Sequence, residues 1–114
     1  MIRKSVKIFL LHILESIAKI ESFTKGISRE KFLRSELVQD AVIRRLGIVG
    51  EAVKNLPNSF KDKYLEVDWK RIAGMRNILI HEYFGIDLKL TFKIIGKDIP
   101  KLKKDILEIL KKLN

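Results

Sequence analysis

The chain has no cysteine among its 114 residues. That excludes a disulfide framework and any thiolate-ligated metal site, and it is compatible with the reducing cytoplasm, the compartment expected here. Two prolines and six glycines are too few for a meander of short strands with turn residues at every reversal, and they suit long helices instead. No apolar run approaches the roughly 20 residues needed to span a bilayer, so no membrane association is expected. Residues 1–7 are basic and residues 8–11 apolar, but the run stops at His12, and Glu15, Lys19 and Glu21 follow at helical spacing. A signal peptide needs a longer uninterrupted apolar core and a small-residue cleavage site, so this segment reads as an amphipathic helix. Also missing are a G-x-x-x-x-G-K-[ST] loop, a histidine pair at i and i+4, and a strand–turn–helix nucleophile elbow. A P-loop enzyme, a helical metal hydrolase and a serine-triad hydrolase are therefore set aside, and neither metal nor cofactor is expected.

What is present is charge. The formal net charge is +10, with a pI near 9.9. Such a balance favours an acidic partner, whether RNA, DNA, a phosphorylated nucleotide or an acidic protein, although solvated surface lysines alone would give the same number. The length fits one domain, 1–114, able to bury roughly two-thirds of its unfolded surface without a staple.

The apolar spacing is helical throughout. Val6, Leu10, Ile13, Ile17 and Ile20 form one stripe over residues 2–23, and Gly26 offers a stop. Ser28 can cap a short helical segment, with Glu30 in its first turn. A second long helix is predicted over residues 35–56, with Val38, Val42, Leu46, Val49, Val53 and Leu56 as its stripe. Gly47 and Gly50 lie inside it at a cost of about 1 kcal/mol each relative to alanine, which points to close approach of a neighbouring backbone. Asp68 can cap a helix that starts at Trp69, carries Ile72, Met75 and Leu79, and fades near residues 83–85. Asp87 can cap a helix over residues 88–96. Pro100 marks a bend or a restart near the first turn of a last helix, whose stripe is Leu102, Ile106, Ile109 and Leu113. No strand pattern is seen. The expected architecture is all-α, an up-and-down bundle of four to five helices.

Of the two histidines, His12 reads as a helix-surface or core-edge residue. His81 stands in the polar run Arg76-Asn77-Ile78-Leu79-Ile80-His81-Glu82-Tyr83. On one continuous helix Arg76 and Tyr83 would share a face, whereas Arg76 and His81 would lie roughly 140° apart. A cleft between helices, a fraying helix end near Gly85 or a two-fold interface would be needed to converge them. The chemistry of the pair suits metal-free RNA cleavage: histidine moves protons near neutrality, and arginine holds a phosphate through two parallel hydrogen bonds. A salt-bridge network with Glu82 is the structural alternative. Tyr83 alone reads as a half-buried aromatic, and Trp69 and Phe84 as core or interface. Arg44 and Arg45 could line an RNA groove or simply be exposed, Glu51 and Asp40 could pair with arginines of neighbouring helices, and the C-terminal lysines read as a solvated face.

At these residues the chain resembles the HepT branch of the HEPN superfamily. That branch carries R-x-x-x-x-H-x-Y, met here by Arg76, His81 and Tyr83, with the polar Asn77 after the arginine. The blocks QDAVIRRLGIVGEAVKNLP (residues 39–57) and WKRIAGMRNILIHEYFGID (residues 69–87) resemble its two characteristic segments, and the resemblance covers nearly the whole chain. It implies a helical homodimer with the Arg and His of both subunits around a shared cleft, acting as a metal-independent ribonuclease toxin on RNA. By the same resemblance Arg76 and His81 are the catalytic pair, Asn77 supports them, and Tyr83 is the acceptor of AMP. The AMP would come from the usual partner, a minimal nucleotidyltransferase antitoxin of the MntA kind. The alternatives left open are a non-catalytic nucleotide- or partner-binding module that docks a nucleotidyltransferase, and a purely structural helical dimer.

Overall fold

A computed structural model describes the backbone of residues 2–81 and 85–113, and the side chains of all of these except residues 2–4 and 81. Eight helices lie among the described residues: α1 (Ile2–Thr24), α2 (Arg29–Arg34), α3 (Glu36–Lys54), α4 (Asn58–Lys61), α5 (Trp69–Ala73), α6 (Met75–Leu79), α7 (Leu88–Gly96) and α8 (Asp98–Leu113). Four of them, α1, α3, α7 and α8, have nine or more residues and make the bundle. The expected all-α class is what the chain adopts.

The core follows from the stripes. Val6, Leu10, Ile13, Ile17 and Ile20 of α1 are all buried, as are Val42, Leu46, Val49 and Val53 of α3 and Leu102, Ile106 and Ile109 of α8. The pair α1 and α3 packs more extensively than any other two elements, and α8 closes on α1. One departure on α3 is instructive. Val38 is only half-buried, while its neighbour Gln39 is buried. The Gln39 amide donates to the carbonyl of Phe32 at 2.8 Å, a second bond to a carbonyl in the last turn of α2 that also accepts the Ser35 N–H at 3.2 Å. Partly exposed ion pairs stitch the periphery: Arg71 of α5 to Asp98 of α8 at 3.3 Å, and Lys103 of α8 to Glu21 of α1 at 3.1 Å. Each contributes about 0–1 kcal/mol, so apolar packing carries the fold.

Helix starts follow the capping residues. Ser28, Ser35, Asp68 and Asp87 each accept the backbone N–H three residues ahead, at 3.0–3.3 Å. Pro100 is the third residue of α8, within the first turn, where no N–H is needed.

The stretch after Trp69 differs from expectation. In place of one helix fading near residues 83–85, α5 stops at Gly74, α6 runs only to Leu79, and Ile80 is extended (φ −98°, ψ 121°). Ile80–His81 (β1) then pairs antiparallel with Gly85–Ile86 (β2), Ile80 opposite Ile86 and His81 opposite Gly85. Gly85 has φ +77°, a conformation glycine adopts without steric cost. The Asp87 N–H bonds the Leu79 carbonyl at 2.7 Å, so the returning chain fills the end of α6. The short α4, which the apolar pattern did not indicate, packs Phe60 against Trp69 and Tyr64, with ring centroids 5.9 and 5.0 Å apart.

With only five residues, α6 is held by the burial of Met75 and Leu79, both 0% exposed and one helical turn apart. We expect Met75→Ala to cost about 2–5 kcal/mol of stability, read as a lower urea midpoint with an unchanged slope. An unchanged midpoint would show that α6 is anchored in some other way.

Candidate functional site

The exposed face of α3 and the start of α6 enclose an open cleft of about 600 Å³. From α3 come Asp40, Arg44, Gly47, Glu51 and Lys54, spaced by four and three residues and so on one face of the helix. From the other wall come Ala73, Arg76 and Asn77.

Two glycines set the separation of the walls, each in its own way. At Gly50, a Cβ would lie 3.0 Å from the Ala73 carbonyl oxygen and 3.3 Å from that of Ile72. The end of α5 therefore rests directly on the α3 backbone, the close approach that the two glycines led one to expect. At Gly47, a Cβ would meet a side chain instead, 3.1 Å from Cδ of Arg76 and 3.7 Å from its Nε. The stem of Arg76 crosses α3 at this gap.

The charges are unevenly matched. Glu51 pairs with Lys54 on its own helix at 3.4 Å; among the described residues it pairs with no arginine of a neighbouring helix, the arrangement its sequence position left open. Among the described residues neither Arg44 nor Arg76 has an ion-pair partner, and both are exposed. Two guanidinium groups thus stand at one opening with their hydrogen-bonding capacity open to an oxyanion. Asn77 is exposed on the same wall, whereas Arg45 is half-buried and outside the cleft lining. Of the two arginines considered for an RNA groove, one lies here.

His81 follows Arg76 by five residues but is not on its helix. Its backbone belongs to β1, so the angle calculated for one continuous helix does not apply, and its side chain lies outside the described residues, as do Glu82, Tyr83 and Phe84. His12 is exposed on α1. Trp69 is a core residue, 8% exposed, its indole N–H shared between the carbonyls of Lys61 and Tyr64 at 3.1 and 3.0 Å. Among the described residues no three His, Asp or Glu side chains cluster as metal ligands, and no helix is long and apolar enough to cross a membrane.

The residue that sequence reasoning passed over is Gly47 in its relation to Arg76. Its local signals are a glycine inside a helix and the spacing that puts it on one face with Arg44 and Glu51; neither names the partner, which lies on a different helix.

A family model described as ribonuclease HepT-like matches residues 13–109. A Methanocaldococcus jannaschii protein named gamma-glutamylcyclotransferase and candidate RNase is 55% identical over 112 residues, 98% of this chain and 50% of that protein. A second protein of that organism, named as a candidate RNase, is 46% identical over 106 residues, 93% of this chain and 97% of its own length. A Thermococcus cleftensis protein named as a candidate HepT ribonuclease is 48% identical over 101 residues, covering 89% of this chain and 92% of that one. The chain thus spans half the length of the first relative and nearly all of the other two. No solved structure matches the chain significantly.

The two kinds of residue at the cleft respond differently to substitution. We expect Arg44→Ala and Arg76→Ala to leave stability within about 0.5 kcal/mol of the parent, as for exposed side chains without partners. Gly50→Ala destabilises despite the better helix propensity of alanine, because the new carbon meets backbone oxygens that cannot move without shifting α5. Urea unfolding of the three variants checks both statements, and a Gly50→Ala chain as stable as the parent would contradict the second.

Proposed function

The chain belongs to the HepT-like ribonuclease family, and on that footing we propose that it is a metal-independent ribonuclease whose site is built around Arg76 and His81. The observation that carries this reading is Arg76: an exposed guanidinium at an open cleft, without an acidic partner among the described residues, five residues before His81 and within the segment that the family model matches.

The chemistry runs as follows. The ribose 2′-oxygen attacks the adjacent phosphorus, the bond to the 5′-oxygen of the next nucleotide breaks, and a 2′,3′-cyclic phosphate and a 5′-hydroxyl result. His81 serves in proton transfer, taking the 2′-hydroxyl proton or giving one to the leaving oxygen. Arg76 stabilises the charge that builds on the phosphate. Asn77, on the same wall of the cleft, supports the pair, and Arg44 across the opening offers a second cation to the backbone of the strand. DNA lacks the 2′-hydroxyl and is not cut by this route. A net charge of +10 favours the approach of a polyanion.

The finer reading rests on the HepT resemblance. The protein acts as a toxin, as a homodimer with two Arg–His pairs around one cleft. A minimal nucleotidyltransferase neutralises it: the Tyr83 phenolic oxygen takes AMP from ATP, with pyrophosphate leaving and the phenolic proton lost to a base. The added phosphate would compete with RNA for Arg76, by the logic that governs phosphorylation beside an arginine.

The experiment is incubation of wild type, Arg76→Ala and His81→Ala with total RNA in EDTA, followed by analysis of product ends. Wild type is expected to leave 2′,3′-cyclic phosphates. Loss of His81 is expected to slow cleavage by about 10²–10⁴-fold, and loss of Arg76 by about 10²–10³-fold. Absent cleavage by a well-folded wild type, or equal cleavage by His81→Ala, would overturn the reading in favour of a binding module. Salt gives an independent check: for single-stranded RNA, log affinity falls with log salt, and Arg76→Ala should flatten that slope by about 0.7 for its one phosphate contact. A shift in affinity with no change of slope would remove Arg76 from the phosphate.

A further inference from the structure

From the contact between Gly47 and Arg76 we infer that Gly47 is a positioning residue for the cleavage site: the gap it leaves in α3 sets where the Arg76 guanidinium stands in the cleft. The inference deepens the proposed function and rests on Arg76 being the phosphate-binding group.

Two glycines within α3 weaken the helix that supplies most of the core contact with α1. Gly50 has a structural reason, since a Cβ there would strike the Ala73 and Ile72 carbonyl oxygens at 3.0 and 3.3 Å. Gly47 has none of that kind. Among the described residues, and apart from its chain neighbours and the backbone of its own helix, Cδ and Nε of Arg76 are what lies within 4 Å of where its Cβ would be, at 3.1 and 3.7 Å. An arginine exposed at the surface could swing aside to accommodate an alanine, so the fold does not require glycine at this position. The location of the guanidinium does. At 3.1 Å the Cβ of an alanine would stand inside the usual carbon–carbon separation of about 3.5–4.0 Å, and the stem must lift away from α3. A valine would block the crossing altogether.

The two glycines should therefore separate experimentally. Gly47→Ala is expected to melt at the same temperature as the parent or higher, because alanine favours the helix, while cleaving RNA more slowly. Gly47→Val is expected to lose more, up to about 100-fold, the order of loss that follows from displacing a reacting group by about 1 Å. A merely structural role would lower melting temperature and activity together, as at Gly50.

The decisive measurement is a double-mutant cycle in the His81→Ala background, where the RNA survives for binding. Affinity for a labelled mixed-sequence single-stranded oligoribonucleotide is measured for that parent, with Gly47→Val, with Arg76→Ala, and with both. The expected result is that Gly47→Val weakens binding when Arg76 is present and adds nothing when it is absent. An equal loss in both contexts, or no loss in either, overturns the positioning role. The cleavage assay distinguishes that failure from failure of the functional reading. If Arg76→Ala cleaves as wild type does, the assignment of the site falls and this inference with it. If Arg76→Ala is inactive while Gly47→Val cleaves normally, only the inference falls.

Discussion

The approach of α3 to the end of α5 is the contact on which the rest of the site depends. With no side chain at Gly50, the Ile72 and Ala73 carbonyls rest on the α3 backbone, and this closeness decides where α6 begins. Gly74 makes the corner, Met75 and Leu79 bury themselves in the core, and Arg76 and Asn77 are left on the outer side of a helix too short to choose any other orientation. The cleft between α3 and α6 opens on the side of α6 opposite the buried Met75 and Leu79.

The electrostatics of that space follow from the same economy. Glu51 is occupied by Lys54 on its own helix, and Asp40 is the other acid of the lining. The two arginines are drawn from different helices and keep their charge at the opening. An arginine held by a neighbouring carboxylate would have to give up that partner before it could bind a phosphate. Here the cost is absent among the described residues, so the cleft is suited to an anionic ligand before one arrives.

How much of this was legible in the sequence depends on the range of the interaction. The stripes of α1, α3 and α8 and the caps at Ser28, Asp68 and Asp87 are local signals, and the structure repeats them nearly residue for residue. The break of the predicted helix after Trp69 into α5, α6 and a hairpin was not legible. Gly74 is a weak breaker by itself, and strands of two residues have no period to detect; what extends Ile80 is its pairing with Ile86, a contact made only after the chain has turned back. At the site, the run from Arg76 to Tyr83 was conspicuous as chemistry, but its geometry was computed for a helix that ends at Leu79. The crossing of Arg76 over Gly47 joins two helices that no local pattern links. Gly47 and Gly50 look alike in sequence, and only the identity of the atoms facing them tells them apart.

The environment of Trp69 has a practical consequence. It is the only tryptophan in the chain, it begins the helix that rests on Gly50, and its indole is fastened to the carbonyls of Lys61, at the end of α4, and Tyr64 within an aromatic cluster. The protein thus carries one indole fluorophore, which can be excited selectively over its two tyrosines, placed at the foot of the wall that bears the arginine. Its emission follows the seating of that wall, whereas far-ultraviolet circular dichroism is dominated by α1, α3 and α8. Divergence between the two signals during denaturation would betray a state in which the bundle persists and the cleft has come apart, and their coincidence would mean that the cleft exists only as long as the whole fold does.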